Sequence, residues 1–444
     1  MALGVGPGHN VAILSSNRPE WFLASLGAIA AGGVSAGIYT TSAPEQCEYI
    51  AHHCEAAVVV VENETHLQTF LACRDRLPRL RTIVLLEGRP TAEGVMGWDE
   101  LLRRGETVDK ASLDARVAAL DPGACASLIY TSGTTGPPKA VMISHRNILW
   151  VARVVVEMLA VGSEDRGLCY LPLSHVAEQN LSLFGPVIAG SATFFAESLE
   201  KVPDNLREVR PSFFFGVPRV WEKMQAALEA GIAAASPGQR RLLAWARRLG
   251  LRAGHAAERG ARPPLGMGLA RALVFSKLRR RLGLDRARIC LVSAAPVTRE
   301  TLDFFLSLDI PVLELYGMSE CTGPATASLP RACRTGRAGR ALPGSEVRIA
   351  ADGEVLIRGP HVFLGYLKDE EATRAARDAD GWLHSGDVGE LDAEGYLKVT
   401  DRKKELLVTS GGKKTDGGEL TPTLKLKRRV IYEKYEAEIE RLYS

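Results

Sequence analysis

The segment Tyr130-Thr131-Ser132-Gly133-Thr134-Thr135-Gly136-Pro137-Pro138-Lys139 concentrates groups that bind anions. Hydroxyls at Thr131, Ser132, Thr134 and Thr135 crowd around Gly133 and Gly136, and Lys139 adds a full positive charge. Glycine lets backbone amides turn toward an anion, and hydroxyls supply further donors. The chemistry such a loop suits is the cradling of a polyphosphate. It is not a Walker A loop, which needs GxxxxGK followed by Ser or Thr at the start of a helix. Here the glycines stand closer, and Ala140 follows Lys139. The blander alternative is a Ser/Thr-rich hairpin turn, because strand-like runs lead in (Ser127–Tyr130) and out (Val141–Ser144).

Further along stand single residues that chemistry could use. Glu320 follows Tyr316-Gly317-Met318-Ser319, Asp387 follows Ser385-Gly386, and His175 follows Leu171-Pro172-Leu173-Ser174. Alone, each has an ordinary reading: a solvated loop carboxylate, a turn aspartate, a structural histidine. In order, however, six stretches resemble the motifs of the adenylate-forming superfamily of acyl-CoA synthetases, insect luciferases and peptide-synthetase adenylation domains. They are the Thr131–Lys139 loop, Leu171–His175, Ser293-Ala294-Ala295-Pro296, Tyr316–Glu320, Gly381-Trp382-Leu383-His384-Ser385-Gly386-Asp387 and Asp401-Arg402-Lys403-Lys404. Asn17-Arg18-Pro19-Glu20-Trp21, Gly37-Ile38-Tyr39-Thr40-Thr41 and Leu424-Lys425-Leu426-Lys427-Arg428 are similar to long-chain, bubblegum-type fatty acyl-CoA synthetases.

The resemblance implies activation of a fatty acid's carboxylate with ATP and Mg²⁺, then transfer to coenzyme A. A carboxylate is already a nucleophile, so catalysis reduces to positioning and charge neutralisation. It implies that Thr131, Ser132, Gly133, Thr134, Thr135, Gly136 and Lys139 hold the β- and γ-phosphates. Glu320 holds Mg²⁺, a hard cation suited to oxygen ligands, and Ser319 bonds the α-phosphate. Tyr316, beside Gly317, stacks on adenine, with Ala294 and Ala295 presenting backbone to it. Asp387 and Arg402 reach the ribose. His175 lies near the substrate carboxylate, and Lys425 contacts the α-phosphate from the C-terminal domain. Leu183, Phe184, Phe213, Phe214 and Phe215 line the acyl pocket or are simply core, core being the better reading.

One departure stands out. After Gly411-Gly412 the text passes within a few residues to Glu419–Lys425, which resembles the very end of the family's mobile C-terminal domain. The body of that domain is expected to be missing, and with it efficient thioester formation. Two other readings stay open: an amino-acid-activating domain, disfavoured because Val176-Ala177-Glu178 offers no Asp for an amine, and a nucleotide- and lipid-binding pseudoenzyme.

The elements that must position these groups read as α/β. Val11–Leu14, Val34–Ile38, Ala57–Val61 and Thr82–Leu86 read as strands, with helices Glu20–Ala31, Pro44–His53 and Glu64–Arg76 between them. Strands resume at Leu168–Leu171, Ala192–Phe195, Phe213–Gly216, Ile289–Ser293 and Val312–Leu315. Short β segments follow at Glu346–Ile349, Glu354–Ile357 and Tyr396–Thr400. The expected fold is a large multi-layered N-terminal domain of the adenylate-forming type, with αβαβα-like sheets and a small β subdomain, and a truncated C-terminal domain. The expected divisions are 1–335 (α/β core with acyl and ATP sites), 336–400 (β-rich), 401–412 (hinge) and 413–444 (remnant of the mobile domain).

The chain has 444 residues, 46% hydrophobic and 24% charged, with a net charge of +3. That is globular composition, and the charge argues against nucleic acid as a partner. The 8 cysteines form no CxxC pair, so free buried thiols in a reducing cytosol are expected. The apolar run Trp21–Tyr39 is broken by Gly32-Gly33 and reads as a buried helix plus strand rather than a membrane span. Residues 240–281 carry 12 Arg and Lys against Glu258 alone. A solvated helical face is the plain reading, and peripheral contact with an anionic membrane the functional one. The expected location is the cytoplasm, with peripheral contact at the endoplasmic reticulum or another membrane.

Overall fold

A computed structural model describes residues 1–131, 137–330 and 332–403. The strand Ala56–Val61 shows why the amino half folds as it does: all its residues are buried, four of them valines. A strand covered on both faces by helices must read as a continuous apolar run, and each fully buried Val contributes roughly 1.5–3 kcal/mol. It lies inside an eight-stranded sheet. The order is Gly365–Tyr366, Lys139–Ser144, Cys125–Thr131, Val34–Ile38, Asn10–Leu14, Ala56–Val61, Thr82–Leu85, Val95–Gly97. From Cys125–Thr131 onward the pairings are parallel, whereas Lys139–Ser144 and Gly365–Tyr366 join antiparallel.

A five-stranded middle sheet runs Phe213–Gly216, Ile289–Val292, Val312–Met318, Gly323–Ala327, Arg340–Ala341. A four-stranded antiparallel sheet runs Glu346–Ile349, Glu354–Arg358, Leu383–Leu391, Leu397–Arg402. Arg166–Cys169 and Ala192–Phe195 form a parallel pair. Phe213, Phe214 and Phe215 are all buried in the core around the middle sheet, and Leu183 and Phe184 in the core that touches Tyr316.

The run Trp21–Tyr39 is helix Pro19–Ala30 and strand Val34–Ile38, with Gly32 turning between them at φ +86°. No helix among the described residues is long and apolar enough to cross a membrane. Elsewhere the structure moves the expected bounds. The apolar run Leu168–Leu171 is only half strand: pairing with Ala192 starts the ladder at Arg166 and ends it at Cys169. Tyr170 and Leu171 are buried in the turn that follows. Glu64–Arg76 is helix Glu64–Leu71, then a separate tight turn Arg74–Arg76. All eight cysteines are free, six of them buried.

Candidate nucleotide and acyl-activation site

Thr131 and Lys139 are register partners, so the loop between them closes an antiparallel pair at the end of two strands of the large sheet. The hairpin topology is therefore real. Ser132, Gly133, Thr134, Thr135 and Gly136 lie outside the described residues, as do Lys425 and the rest of 404–444 on which the expected loss of thioester formation rests. Lys139 Nζ stands 3.6 Å from Asp369 Oδ2 and 5.0 Å from the centroid of Tyr366.

Tyr366 was not expected from the sequence. Its hydroxyl donates to Glu320 Oε1 at 2.8 Å, so Lys139, Tyr366 and Glu320 form a continuous contact chain. Burial, then the Glu320 charge, push the Tyr366 phenol well above its ordinary range, which keeps it a donor. The strand that presents it, Gly365–Tyr366, is held from several sides. Asn147 Nδ2 donates to the carbonyls of Pro360 at 2.7 Å and Val362 at 3.0 Å. The Phe363 amide donates to the Glu320 carbonyl at 2.8 Å. Leu364 and Leu367 amides donate to Met142 and Ala140 carbonyls on either side of the pairing. Gly365 has φ +146°, and a Cβ there would meet Thr373 Cγ2 at 2.6 Å, so only glycine fits.

Glu320 sits in a tight turn, Ser319–Cys321, directly after the strand Val312–Met318, and both Ser319 and Glu320 are buried. A Cβ on Gly317 would lie 1.8 Å from the Gly323 carbonyl oxygen. That contact explains the glycine: the antiparallel partner Gly323–Ala327 comes close there, with a bulge between Tyr316 and Gly317. On the neighbouring strand, Ala294 adopts φ +76° just past Ile289–Val292. A left-handed alanine costs roughly 1–2 kcal/mol, a cost typically met at functional sites. Ala294 is half-buried and Ala295 exposed. Both Glu320 and Ala294 stand just beyond carboxyl ends of parallel-paired strands, where open α/β sheets bind ligands.

A second group forms where the middle and four-stranded sheets meet. The Tyr316 hydroxyl donates to Asp387 Oδ2 at 2.8 Å, and Arg402 Nε donates to Asp387 Oδ1 at 3.0 Å. Asp387 is buried and its amide donates to Ser385 Oγ at 3.1 Å. Burial, then the Asp387 charge, raise the Tyr316 phenol well above its ordinary value, so it too remains a donor. Each Asp387 oxygen keeps an acceptor site beyond the one used. Lys403 extends the arrangement: its Nζ bonds Asp352 Oδ2 at 2.6 Å and Glu354 Oε2 at 2.8 Å.

His175 is held by a local bond. Its Nδ1 accepts from the Ala177 amide at 3.1 Å, capping the turn Val176–Glu178. The segment before it is fixed by Asn17, whose Nδ2 donates to the Leu171 carbonyl at 2.7 Å and whose Oδ1 accepts from the Leu173 amide at 3.2 Å. Just after, Glu178 is fully buried and bonded to the Ser182 hydroxyl at 2.7 Å; burial raises its carboxyl to about 7. A one-turn widening of the helix over Gln179–Phe184 follows, a feature frequent at functional sites.

The family model described as AMP-binding enzyme matches residues 1–367. The chain belongs to the AMP-binding enzyme family. Among relatives of this AMP-binding enzyme, long-chain-fatty-acid–CoA ligase ACSBG2 of Xenopus laevis is 44% identical over 433 residues, covering 92% of this chain and 58% of that protein. Long-chain-fatty-acid–CoA ligase ACSBG1 of Rattus norvegicus is 38% identical, covering 97% of this chain and 62% of that one. The chain thus spans less than two thirds of either relative, and the likeness to bubblegum-type ligases stands. In fold it matches the anthranilate CoA ligase AuaEII in complex with anthranoyl-AMP, at TM-score 0.68, 20% identity and 92% and 71% coverage of the two chains. It also matches the N-terminal domain of FACL13 from Mycobacterium tuberculosis, at TM-score 0.65, 23% identity and 90% and 88% coverage. The mixed α/β architecture is therefore that of adenylate-forming enzymes, over their N-terminal part.

Proposed function

We propose that this AMP-binding enzyme activates a long-chain fatty acid with ATP, as a long-chain fatty acid–CoA ligase. The observation that carries the reading is the convergence of Tyr316 and Arg402 on one buried carboxylate, Asp387, with a second buried carboxylate, Glu320, just past the strand that carries Tyr316. Asp387 accepts from the ribose hydroxyls through its remaining lone pairs, with Arg402 and Tyr316 holding its two oxygens in place. Tyr316, Ala294, Ala295 and Gly317 form the adenine side. Thr131 and Lys139, with Ser132–Gly136 between them, take the triphosphate, and Ser319 meets its α-phosphate.

Glu320 fits Mg²⁺. It is a buried, oxygen-donor carboxylate, and no cluster of three or more His, Cys, Asp or Glu able to hold a metal exists among the described residues. A single carboxylate completed by substrate phosphates and waters is the ordinary Mg²⁺ arrangement. When bound, the ion neutralises triphosphate charge. Tyr366 holds Glu320 in place and Lys139 approaches the same anion.

In the first step a carboxylate oxygen of the acid attacks the α-phosphorus. The bond to the β-phosphate oxygen breaks, and pyrophosphate leaves with its electron pair. In the second step the coenzyme A thiol attacks the acyl carbon, AMP leaves, and the thiol proton passes to solvent. His175 borders the acid's carboxylate in this reading, and Lys425 the α-phosphate. The division into a core (1–335), a β-rich subdomain (336–400), a hinge (401–412) and a C-terminal segment (413–444) belongs to the same proposal, as does a cytoplasmic chain in peripheral contact with a membrane through its basic 240–281 segment.

Pyrophosphate exchange into ATP, run with palmitate, octanoate and acetate and with or without coenzyme A, tests it. Palmitate-dependent exchange is expected. Retained ATP binding without exchange for any acid would make the chain a binder instead of a ligase.

A further inference from the structure

We propose that the helical surface between residues 237 and 282 docks on an anionic phospholipid bilayer, with Leu265, Leu269 and Leu273 entering the headgroup layer. This sharpens, and rests on, the peripheral contact proposed above by naming the residues that insert. Helix Pro237–Glu258 packs on a helical stretch made of Met267–Ala270, a wide turn Arg271–Phe275 and Ser276–Leu282. Where the two meet, Ala246, Met267, Ala270 and Phe275 are buried together, with Trp245 and Leu249 around them.

Leu269 and Leu273 stand four residues apart within this stretch, which places them on one face, and Leu265 lies in the turn just before it. Leu265 is 98% exposed, Leu269 56% and Leu273 43%. These apolar side chains are left largely in solvent. Apolar side chains left in solvent beside cations suit a deformable lipid layer. Charge points the same way. Of the residues 240–281, 12 are basic and Glu258 is the one acid. That acid is spoken for by the Thr335 amide at 3.0 Å. Arg262, Lys277, Arg280 and Arg281 are exposed and make no ion pair among the described residues. An apolar face bordered by unpaired cations is the signature of an interfacial helix, and each cation near an anionic leaflet adds attraction that salt screens. The fit with function is direct, since long-chain acids partition into lipid and docking would bring the site to them.

The test sediments the full chain with phosphatidylcholine vesicles, alone or mixed with phosphatidylserine, without ATP or fatty acid. Binding to the mixed vesicles only, weakened by salt, is expected. Combined Leu265→Ser, Leu269→Ser and Leu273→Ser should weaken it at least ~10-fold at unchanged melting temperature. Arg280→Glu with Arg281→Glu should do likewise and serves if the serine variant does not fold. Equal binding to neutral vesicles, no binding to either, or full binding by both variants would overturn the proposal. So would a dimer that the serine variant turns into a monomer, which would make the stripe a contact between copies. Because no nucleotide or acid is present, this result and the pyrophosphate exchange above can fail independently.

Discussion

The two ends of the proposed nucleotide site are built differently. At the ribose end, Asp387 is buried and both its oxygens are already held, by Tyr316 and Arg402. At the phosphate end, Lys139 is half-exposed and faces Asp369 at 3.6 Å. Glu320 is gripped through one oxygen by Tyr366. The first end is organised in advance, so binding there costs little rearrangement. The second holds its cation against a carboxylate that a triphosphate must displace. Preorganisation favours affinity, whereas a group engaged only as charge develops favours rate. Substitutions at the ribose end should therefore act on ATP affinity and those at the phosphate end on turnover.

The largest effect is expected at Glu320. Glu320→Gln keeps the shape and removes the charge, and should lower the rate of pyrophosphate exchange by ~10²–10³, the scale for losing one buried charge-stabilising group. Higher Mg²⁺ should recover part of it. Exchange at the wild-type rate would show that the two ends do not divide the work as argued. Tyr366→Phe, which frees Glu320 without discharging it, should cost only ~10-fold, the worth of one hydrogen bond to a charged group.

Asp387→Asn probes the other end. It should raise KM for ATP by roughly 10–100-fold with a much smaller change in kcat, since hydrogen bonds to charged groups are worth about 1.5–3 kcal/mol. A pure kcat loss would contradict the division between affinity and rate.

Which of these residues could be read in the sequence depended on how local the signal was. The strand Ala56–Val61 announced itself because burial on both faces demands an unbroken apolar run. Tyr316, Glu320, Asp387 and Arg402 stood out through their neighbours in the chain. Tyr366 and Asp369 did not. The strand that carries Tyr366 is two residues long and has no period, Asp369 caps the helix that follows, and their relation to Lys139 exists only because Gly365–Tyr366 pairs with Val141 and Met142. Gly365 was the one local trace, a glycine forced by Thr373. Glu178 was read merely as the wrong residue for an amine. Its burial depends on the widened turn that follows, which hydrophobic spacing does not announce.

The phosphate end also carries a pH liability of its own. His361, in the segment that presents Tyr366, is fully buried, stacks on Trp150 at 4.9 Å, and has no hydrogen-bond partner on either ring nitrogen among the described residues. Burial lowers its pKa from 6.5 to about 4. Its stabilising share is complete above pH 6.5, where folded and unfolded chains are both neutral. As pH falls from there to about 4, the unfolded chain takes up the proton first and that share is lost. His361→Leu should remove this component, flattening the acid limb of a denaturant-measured stability profile by about 3 kcal/mol. Parallel profiles would mean that His361 finds a proton acceptor in the folded chain.

The smallest effect should have the opposite sign. Asp369 both faces Lys139 and caps helix Glu370–Ala376, accepting from the Ala372 amide at 2.9 Å. Asn caps a helix about as well as Asp, so Asp369→Asn removes the charge and keeps the cap. An ion pair this exposed is worth at most ~1 kcal/mol. With the competitor discharged, Lys139 is released to the triphosphate and one repulsion disappears. ATP should then bind ~2–3-fold more tightly, within that ceiling. The gain should fade at high salt, where the pair is already screened. Weaker ATP binding in this variant would instead make Asp369 part of the cradle, held beside Lys139 to orient it, and the phosphate end would be as organised in advance as the ribose end.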